Sequence, residues 1–126
     1  MKVLITGGCG FLGSNLASSF IKKSDEVFIL DNLEREGSQK NLDWLEKQDL
    51  KKKLNFFKID ITNFEKIKQF FSEFSDFDFI CHVAGQVAMT KSIKNPRKDF
   101  ETNVIGTINI LEAMRMYSSN SLLAFS

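Results

Sequence analysis

Residues that build metal sites and disulfide frameworks are scarce in this sequence of 126 residues, which has one histidine, His82, and two cysteines, Cys9 and Cys81. These three residues do not have the spacing of zinc ligands, so we expect no metal site. Cys9 falls in a glycine-rich turn and Cys81 in an apolar run that we predict to be a buried strand. Both positions favour small reduced packing residues over a disulfide.

An excess of charge of either sign is also lacking. The 17 basic residues are balanced by 16 acidic ones, which leaves a formal net charge of +1. This balance gives no electrostatic reason to expect nucleic acid or an anionic membrane as a partner. No apolar run approaches the roughly 20 residues that a membrane-spanning helix needs. With 43% hydrophobic and 26% charged residues, the composition is typical of a folded domain, and we expect a cytoplasmic one.

What the sequence does have is an alternation of short apolar runs with segments of helical period. The apolar runs predict five strands, at Lys2–Thr6, Glu26–Leu30, Leu54–Ile59, Phe79–Val83 and Leu122–Phe125. Because these runs are apolar throughout, they suit a parallel sheet that helices cover on both faces. The predicted fold class is therefore α/β, a doubly wound parallel sheet that binds its ligand at the carboxyl ends of the strands.

Each helical segment carries an apolar stripe that we predict to face the sheet. The sequence Thr62-Asn63-Phe64-Glu65 predicts a capping box with Thr62 as the N-cap, and Asn95-Pro96 opens the last helix. The predicted inward residues are Leu12, Leu16, Ala17, Phe20 and Ile21; Leu42 and Leu45; Phe64, Ile67, Phe71 and Phe74; and Phe100, Val104, Thr107, Leu111 and Met114.

Three glycines spaced by three residues, Gly7, Gly10 and Gly13, lie between the first strand and the first helix. Such a turn allows positive φ and lets the backbone approach a pyrophosphate, which the helix N-terminus then attracts. Asp31 ends the second strand, where a carboxylate can accept hydrogen bonds from ribose hydroxyls. These features predict a Rossmann-like dinucleotide-binding domain. Asp31 favours NAD over NADP because it would repel the additional phosphate, although Arg35 could soften that preference.

The order of these motifs resembles that of the extended short-chain dehydrogenases/reductases. The resemblance rests on the glycine turn after Thr6, Asp31-Asn32, Asp60-Ile61, the stretch 82–86 and the stretch 103–113. It implies a cofactor-binding role for Gly7, Gly10, Phe11, Leu12, Gly13, Asp31, Asn32, Asp60, Ile61, Ala84, Gly85, Gln86, Asn103 and Ser126. Asp60 would accept from the adenine amino group. A flavin or S-adenosylmethionine domain could share the glycine turn, but it would not explain Asp60-Ile61 or the helix that contains Asn103.

Residues 31–45 and 85–96 are similar to one subgroup of that family, the CDP-tyvelose (CDP-paratose) 2-epimerases. This similarity implies that the full-length protein is an NAD-dependent epimerase of a nucleotide-diphosphate sugar, with a CDP-linked substrate. Thr90 and Ser92 are then candidate substrate contacts. Sugar 4-epimerases and 4,6-dehydratases share the scaffold and stay open as alternatives.

The catalytic Tyr-x-x-x-Lys pair of the family has no counterpart in this chain, since Tyr117 is the only tyrosine and Ser121 stands four residues beyond it. Ser126 matches only the first serine of the family's Ser-Ser-Ser/Thr run. We therefore expect residues 1–126 to form an N-terminal NAD-binding domain, incomplete at its C-terminus, inactive alone and without the substrate domain. A stand-alone NAD-binding module is the alternative. The resemblance also allows a homo-oligomer formed through the helices near 98–117.

Overall fold

The computed structural model describes residues 1–85 and 93–126. They form a five-stranded parallel sheet in the order β3-β2-β1-β4-β5. The strands are β1 (Lys2–Thr6), β2 (Glu26–Asp31), β3 (Leu54–Lys58), β4 (Phe79–His82) and β5 (Leu122–Phe125). The helices are α1 (Phe11–Lys22), α2 (Ser38–Gln48), α3 (Phe64–Glu73), α4 (Pro96–Phe100) and α5 (Gly106–Tyr117), with a π-helical turn (Glu101–Ile105) between α4 and α5. The predicted doubly wound α/β sheet is confirmed.

The winding of the chain reverses beside the central strand β1. Thr6 stands opposite Leu30 of β2 and His82 of β4. The chain winds outward from β1 through β2 to β3, and then returns to the other side of β1 to form β4 and β5. The carboxyl ends of β1, β2 and β4 therefore meet at the point where the winding reverses, which is where open α/β sheets bind their ligands.

Alternate residues along the strands divide the core into two layers. The first layer joins the sheet to α3 and α5, and it includes Leu4, Phe28, Leu30, Ile67, Phe70, Phe71, Ile80, Ile110, Ala113 and Met114. The second layer joins the sheet to α1 and α2, and it includes Val3, Ile5, Ala17, Val27, Ile29, Leu42, Leu45 and Cys81. Because both faces of every central strand are covered, the strands are apolar throughout, as the sequence predicts.

Strand boundaries agree with the prediction to within one residue. β1 and β5 have the predicted bounds, whereas β2 extends to Asp31, β3 stops before Ile59 and β4 stops before Val83. All three differences lie at the carboxyl ends of the strands. Within residues 1–85 and 93–126, the structure has no helix long and apolar enough to cross a membrane.

The stripe predicted for α1 is correct except at Leu12, which is 46% exposed. Ala17 is fully buried, and Leu16, Phe20 and Ile21 are partly buried and pack against the second layer. The prediction missed three small residues of this helix that are also buried, Gly13, Ser14 and Ser18. The reason is the short distance between α1 and the glycine turn, since a Cβ on Gly13 would collide with the carbonyl oxygen of Gly7. A helix this close to the sheet packs through small side chains, and its large ones fill the edges of the second layer.

The stripe predicted for the last helix is wrong at three of its five residues. Phe100, Val104 and Leu111 are all at least 40% exposed, and Met114 is the one predicted residue that is buried. The buried residues of α5 are Gly106, Asn109, Ile110, Ala113 and Met114. The π-helical turn breaks the period of 3.6 residues between α4 and α5. Beyond the turn both faces of α5 carry apolar residues, so the periodicity could not select the inner one.

Helices α2 and α3 bury the predicted residues Leu42, Leu45, Ile67 and Phe71, but the capping box predicted before α3 is wrong. Asn63 is the N-cap, and its side-chain oxygen accepts a hydrogen bond from the Lys66 N–H at 3.2 Å. Thr62 instead donates its hydroxyl to the Asp60 carboxylate at 2.7 Å. The strand-end carboxylate therefore competes successfully for the threonine, and the next residue caps the helix.

Candidate functional site

The turn between β1 and α1 is formed by close packing of backbone. Gly7 has a φ of +71°, and its N–H donates to the Leu30 carbonyl oxygen at 2.7 Å. A Cβ on Gly7 would lie 2.7 Å from the Ala84 Cα. Any side chain at Gly13 would collide with the carbonyl oxygen of Gly7, whereas a Cβ on Gly10 would meet nothing closer than 3.4 Å. The fold of the turn thus requires Gly7 and Gly13, while Gly10 is free of steric demands from the protein itself.

The first turn of α1 offers hydrogen-bond donors at this place. Gly10 precedes the helix in an extended conformation and supplies no side-chain cap. The first helical hydrogen bond runs from the Ser14 N–H to the Gly10 carbonyl oxygen at 2.9 Å. The N–H groups of Phe11, Leu12 and Gly13 therefore precede the helical ladder and have no acceptor within it. Together with the helix dipole they favour an anionic group in front of the helix.

Asp31 connects the end of β2 to the glycine turn. One carboxylate oxygen accepts from the Cys9 N–H at 3.0 Å, and the other accepts from the Leu33 N–H at 2.9 Å. Asn41 of α2 holds the same turn from the other side, because its amide donates to the Cys9 carbonyl oxygen at 2.8 Å. Each carboxylate oxygen keeps a further lone pair, so Asp31 can hold the turn and still accept hydrogen bonds from a ligand.

Asp60 lies just beyond β3 on the same edge of the sheet. Its carboxylate accepts from the Thr62 N–H at 2.9 Å and from the Thr62 hydroxyl at 2.7 Å, and it receives a longer contact from the Asn32 amide at 3.4 Å. Burial raises the pKa of Asp60, whereas the hydrogen bonds from Thr62 and Asn32 and the positive charge of Lys98 lower it. The lowering effects are larger, so the pKa of Asp60 lies below its ordinary value. Asp60 is therefore an ionised hydrogen-bond acceptor at neutral pH.

His82, at the end of β4, is buried and bonded through both ring nitrogens. Nδ1 lies 2.6 Å from the Thr6 hydroxyl oxygen and Nε2 lies 2.8 Å from the Thr107 hydroxyl oxygen. Burial lowers the pKa of His82 below its ordinary value, which favours a neutral ring. A buried ring with both nitrogens bonded to hydroxyl groups favours a structural role for this histidine over a catalytic one.

Asn103 in the π-helical turn lies against the backbone that follows β4. A Cβ on Gly85 would come within 2.9 Å of the Asn103 side-chain oxygen, so this glycine allows the close approach. The Asn103 amide nitrogen donates to Asp99 at 3.1 Å. The π-helical turn thus brings the Asn103 side chain to the wall of the site.

Most of the predicted cofactor residues surround one cleft of about 410 Å³. The predicted residues in its lining are Gly7, Gly10, Asp31, Asn32, Asp60, Ile61, Ala84 and Gly85. Phe11, Leu12 and Gly13 do not line it but form the first turn of α1, directly after the lining residue Gly10. Asn103 lies against the lining residue Gly85. Ser126 follows β5 and donates its N–H to the His82 carbonyl oxygen at 3.3 Å. Gln86, Thr90 and Ser92 lie outside the described residues.

The lining of the cleft also contains charged residues, four of which the sequence reasoning missed. Lys98 of α4 forms an ion pair of 3.3 Å with Glu34, which follows β2. Both residues line the cleft, as do Lys94, Asp99 and Arg35, of which only Arg35 had been considered from the sequence. Lys98 and Glu34 are 64 positions apart, and no local motif connects them. Their shared position at the carboxyl edge of the sheet was the one signal available.

Both cysteines are buried and free, in agreement with the packing role expected of them. Burial, with smaller effects from Asp31 and Glu46, raises the pKa of the Cys9 thiol to about 12. Burial likewise raises the pKa of Cys81. Both side chains therefore stay protonated at neutral pH and are weak nucleophiles.

A doubly wound sheet, a glycine turn that leads into unbonded helix donors, and two carboxylates at the strand ends define a Rossmann-like nucleotide-binding domain. Residues 4–125 match the family described as GDP-mannose 4,6 dehydratase, and the chain belongs to that family. The resemblance to the epimerases and dehydratases among the extended short-chain dehydrogenases/reductases is thereby confirmed.

Individual relatives have several activities. The CDP-paratose 2-epimerase of Salmonella typhi is 47% identical over 126 residues, which are 100% of this chain and 36% of that protein. The dTDP-glucose 4,6-dehydratase of Mycobacterium tuberculosis is 34% identical over 119 residues, or 93% of this chain and 34% of that protein. The UDP-glucose 4-epimerase of Bifidobacterium longum, solved with NAD+ and UDP, superimposes with a TM-score of 0.88 at 25% identity, covering 100% of this chain and 36% of that one. The chain spans about a third of the length of these relatives.

Proposed function

We propose that this chain is the NAD-binding part of a nucleotide-sugar epimerase, with a CDP-linked sugar as the substrate of the complete protein. The observation that carries the proposal is that Asp31 and Gly10, the residue directly before α1, line the same cleft, while the first N–H groups of α1 precede the helical hydrogen bonds. A dinucleotide needs both features, since its diphosphate requires donors and its ribose requires an acceptor. The similarity to a CDP-paratose 2-epimerase over the full chain supports the substrate class.

The residues of the cleft fit such a cofactor. The N–H groups of Phe11, Leu12 and Gly13 would hold the diphosphate, and Asp31 would accept from the ribose of the adenosine. Asp60 and Ile61 would meet the adenine ring, while Ala84 and Gly85 would lie along the nicotinamide half, with Gln86, Asn103 and Ser126 near them. When bound, NAD would supply the hydride acceptor that transient oxidation of a sugar hydroxyl requires.

The contribution of this chain is to bind and orient the cofactor rather than to move the substrate proton. The family's Tyr-x-x-x-Lys pair is absent from residues 1–126, so no group here is assigned as the catalytic base. We expect the chain to bind NAD and to leave CDP- and UDP-linked sugars unchanged in its presence. Epimerised sugar in such an assay, with the purified 126-residue chain, would contradict this division of roles.

The cofactor assignment is tested by calorimetry of NAD and NADP with the wild-type chain and Asp31→Asn. The amide keeps the shape of the side chain but removes its charge and one acceptor, so we expect NAD affinity to fall by about 10- to 100-fold. Asp78→Asn is the matched control, because Asp78 accepts from the Lys2 N–H at 2.8 Å at the opposite, amino-terminal edge of the sheet. Equal losses in both variants, or NADP binding as tight as NAD, would refute the assignment.

A further inference from the structure

A continuous chain of hydrogen bonds crosses the sheet where its winding reverses. The Ala84 N–H lies 3.3 Å from the Thr6 hydroxyl oxygen, which lies 2.6 Å from His82 Nδ1. On the other side of the ring, His82 Nε2 lies 2.8 Å from the Thr107 hydroxyl oxygen, and that hydroxyl donates to the Asn103 carbonyl oxygen at 2.6 Å. The chain joins β1, β4, α5 and the π-helical turn.

The direction of every bond in this chain follows from its two ends. A backbone carbonyl only accepts, so the single hydroxyl proton of Thr107 is committed to Asn103. Thr107 must then accept from His82, which places the ring proton on Nε2. A neutral ring leaves Nδ1 as an acceptor, to which Thr6 donates. The Thr6 oxygen in turn accepts from the Ala84 N–H, so each donor meets one acceptor.

Both ends of the chain lie at the wall of the cleft. Ala84 lines the cleft and is the residue against which Gly7 packs, with 2.7 Å between the Ala84 Cα and a Cβ built on Gly7. The next residue, Gly85, lies against the Asn103 side chain. The hydrogen bonds therefore determine how far the backbone at 84–85 stands from the glycine turn on one side and from the π-helical turn on the other.

We propose that His82 is a positioning residue, whose single neutral Nε2–H tautomer fixes the Ala84–Gly85 wall of the cleft between Thr6 and Thr107. This inference rests on the proposed function in one respect, since the bound molecule that the wall serves is taken to be NAD. The tautomer itself does not depend on any ligand. A histidine suits the position because it donates on one side and accepts on the other across the width of a ring.

The tautomer is measurable because His82 is the only histidine of the chain. In ¹⁵N-edited NMR spectra of the ligand-free protein at neutral pH, we expect one histidine spin system with the proton on Nε2. A proton on Nδ1, or an even mixture of tautomers, would overturn the proposal. This measurement needs no variant and no cofactor, so it stands even if NAD does not bind.

Variants of Thr107 test the link between the tautomer and the cleft. Thr107→Val removes the acceptor with little change in shape, and we expect a mixture of tautomers and a loss of NAD affinity of about tenfold. Thr107→Ser keeps the hydroxyl and should restore both properties. Ser18→Ala is the control, because it removes another hydrogen bond of a buried hydroxyl, from Ser18 of α1 to Gln48 of α2 at 2.6 Å. It should lower stability without changing the tautomer.

Two outcomes separate this inference from the proposed function. If the wild-type tautomer is Nε2–H and responds to Thr107→Val, while NAD binds to neither protein, then the hydrogen-bond chain stands and the cofactor assignment fails. If NAD binds and Thr107→Val changes neither the tautomer nor the affinity, then the cofactor assignment stands and His82 has no positioning role.

Discussion

The glycine turn and the aromatic cluster beside α3 are both packed tightly, but by opposite means. In the turn, backbone lies against backbone, and an added Cβ at Gly7 or Gly13 has no room. In the cluster, rings from β2, β3, α3 and the segment after it pack with centroid separations of 5.1 to 6.4 Å. The rings belong to Phe28, Phe57, Phe70, Phe71, Phe74 and Phe77. One region is damaged by adding atoms and the other by removing them.

The difference corresponds to what each region does. Close packing of backbone keeps N–H groups and short side chains at the surface of the cleft, where a ligand can reach them. Packing of rings removes apolar area from water and supplies stability without approaching the cleft. We therefore expect substitutions in the cluster to change the free energy of unfolding alone, and substitutions in the turn to change ligand affinity as well.

The largest expected effect is on stability, from Phe71→Ala. Phe71 is fully buried and contacts the rings of Phe70 and Phe77, and truncation of such a residue costs about 3–5 kcal/mol. Urea denaturation measures the loss. The control is Phe64→Ala, at a half-buried position of the same helix, which should cost far less. If Phe71→Ala unfolds the chain, Phe71→Leu gives a measurable intermediate value. A cost for Phe64→Ala equal to that for Phe71→Leu would contradict the role given to the cluster.

The next largest effect distinguishes Gly13, in the first turn of α1, from Gly10, the residue directly before this helix. Gly13→Ala places a Cβ on the Gly7 carbonyl oxygen, so we expect a loss of about 1–3 kcal/mol in stability and a loss of NAD affinity. Gly10→Ala meets no protein atom closer than 3.4 Å and has an ordinary negative φ of −79°. It should leave the free energy of unfolding nearly unchanged and affect affinity alone. Equal destabilisation by the two alanines would show that steric demand does not distinguish them.

The sequence predicted the regions unequally, and for physical reasons. Strands were located to within one residue because burial on both faces produces apolar runs that turns interrupt. The inner face of α1 was predicted only in part, since the small residues Gly13, Ser14 and Ser18 give no hydrophobic signal. The inner face of α5 was predicted wrongly, since a π-helical turn changes the period before Ile110. Periodicity detects area removed from water, and it does not detect how closely two backbones approach.

The candidate site shows the same division. Asp31 and Asp60 could be predicted because Asp31 ends β2 and Asp60 comes two residues after β3, and strand ends share an edge in a parallel sheet. The pair of Glu34 with Lys98 could not, because its members lie on separate loops and helices. The hydrogen-bond chain through His82 was equally hidden, since it depends on which hydroxyl groups the register brings to the ring.

Acid should affect the strand-end carboxylate before it affects the packing of either region. The folded-state pKa of Asp60 lies below its value of 3.8 in an unfolded chain, so its contribution to stability is complete above that pH. It is lost as the pH falls below 3.8 and through the folded-state pKa. Thr62→Val removes one of the hydrogen bonds that lower the pKa, and we expect it to shift the carboxylate titration upward, as followed by ¹³C NMR. Thr62→Ser should not shift it. An unchanged titration in Thr62→Val would show that the hydroxyl is not a cause.

The smallest effect should come from the rim, where neither close backbone nor buried rings hold the residues. Lys98 and Glu34 expose 62% and 56% of their side chains, and ion pairs of this kind contribute about 0–1 kcal/mol. Lys98→Ala should weaken NAD binding only a few-fold at low ionic strength, because a lysine that lines the cleft would attract the phosphates of the ligand through its charge alone. Added salt screens such an attraction and should remove the difference. Glu34→Gln removes the ion-pair partner of that lysine and should leave NAD affinity equal or higher.

Arg115→Ala is the control, because it breaks an exposed ion pair with Glu112 on α5, outside the cleft. It should change neither the NAD affinity nor its dependence on salt. If Lys98→Ala and Glu34→Gln weaken binding by the same factor, then binding requires the intact ion pair and not the charge of Lys98 alone. The rim would then resemble the glycine turn, because its contribution would depend on a defined geometry.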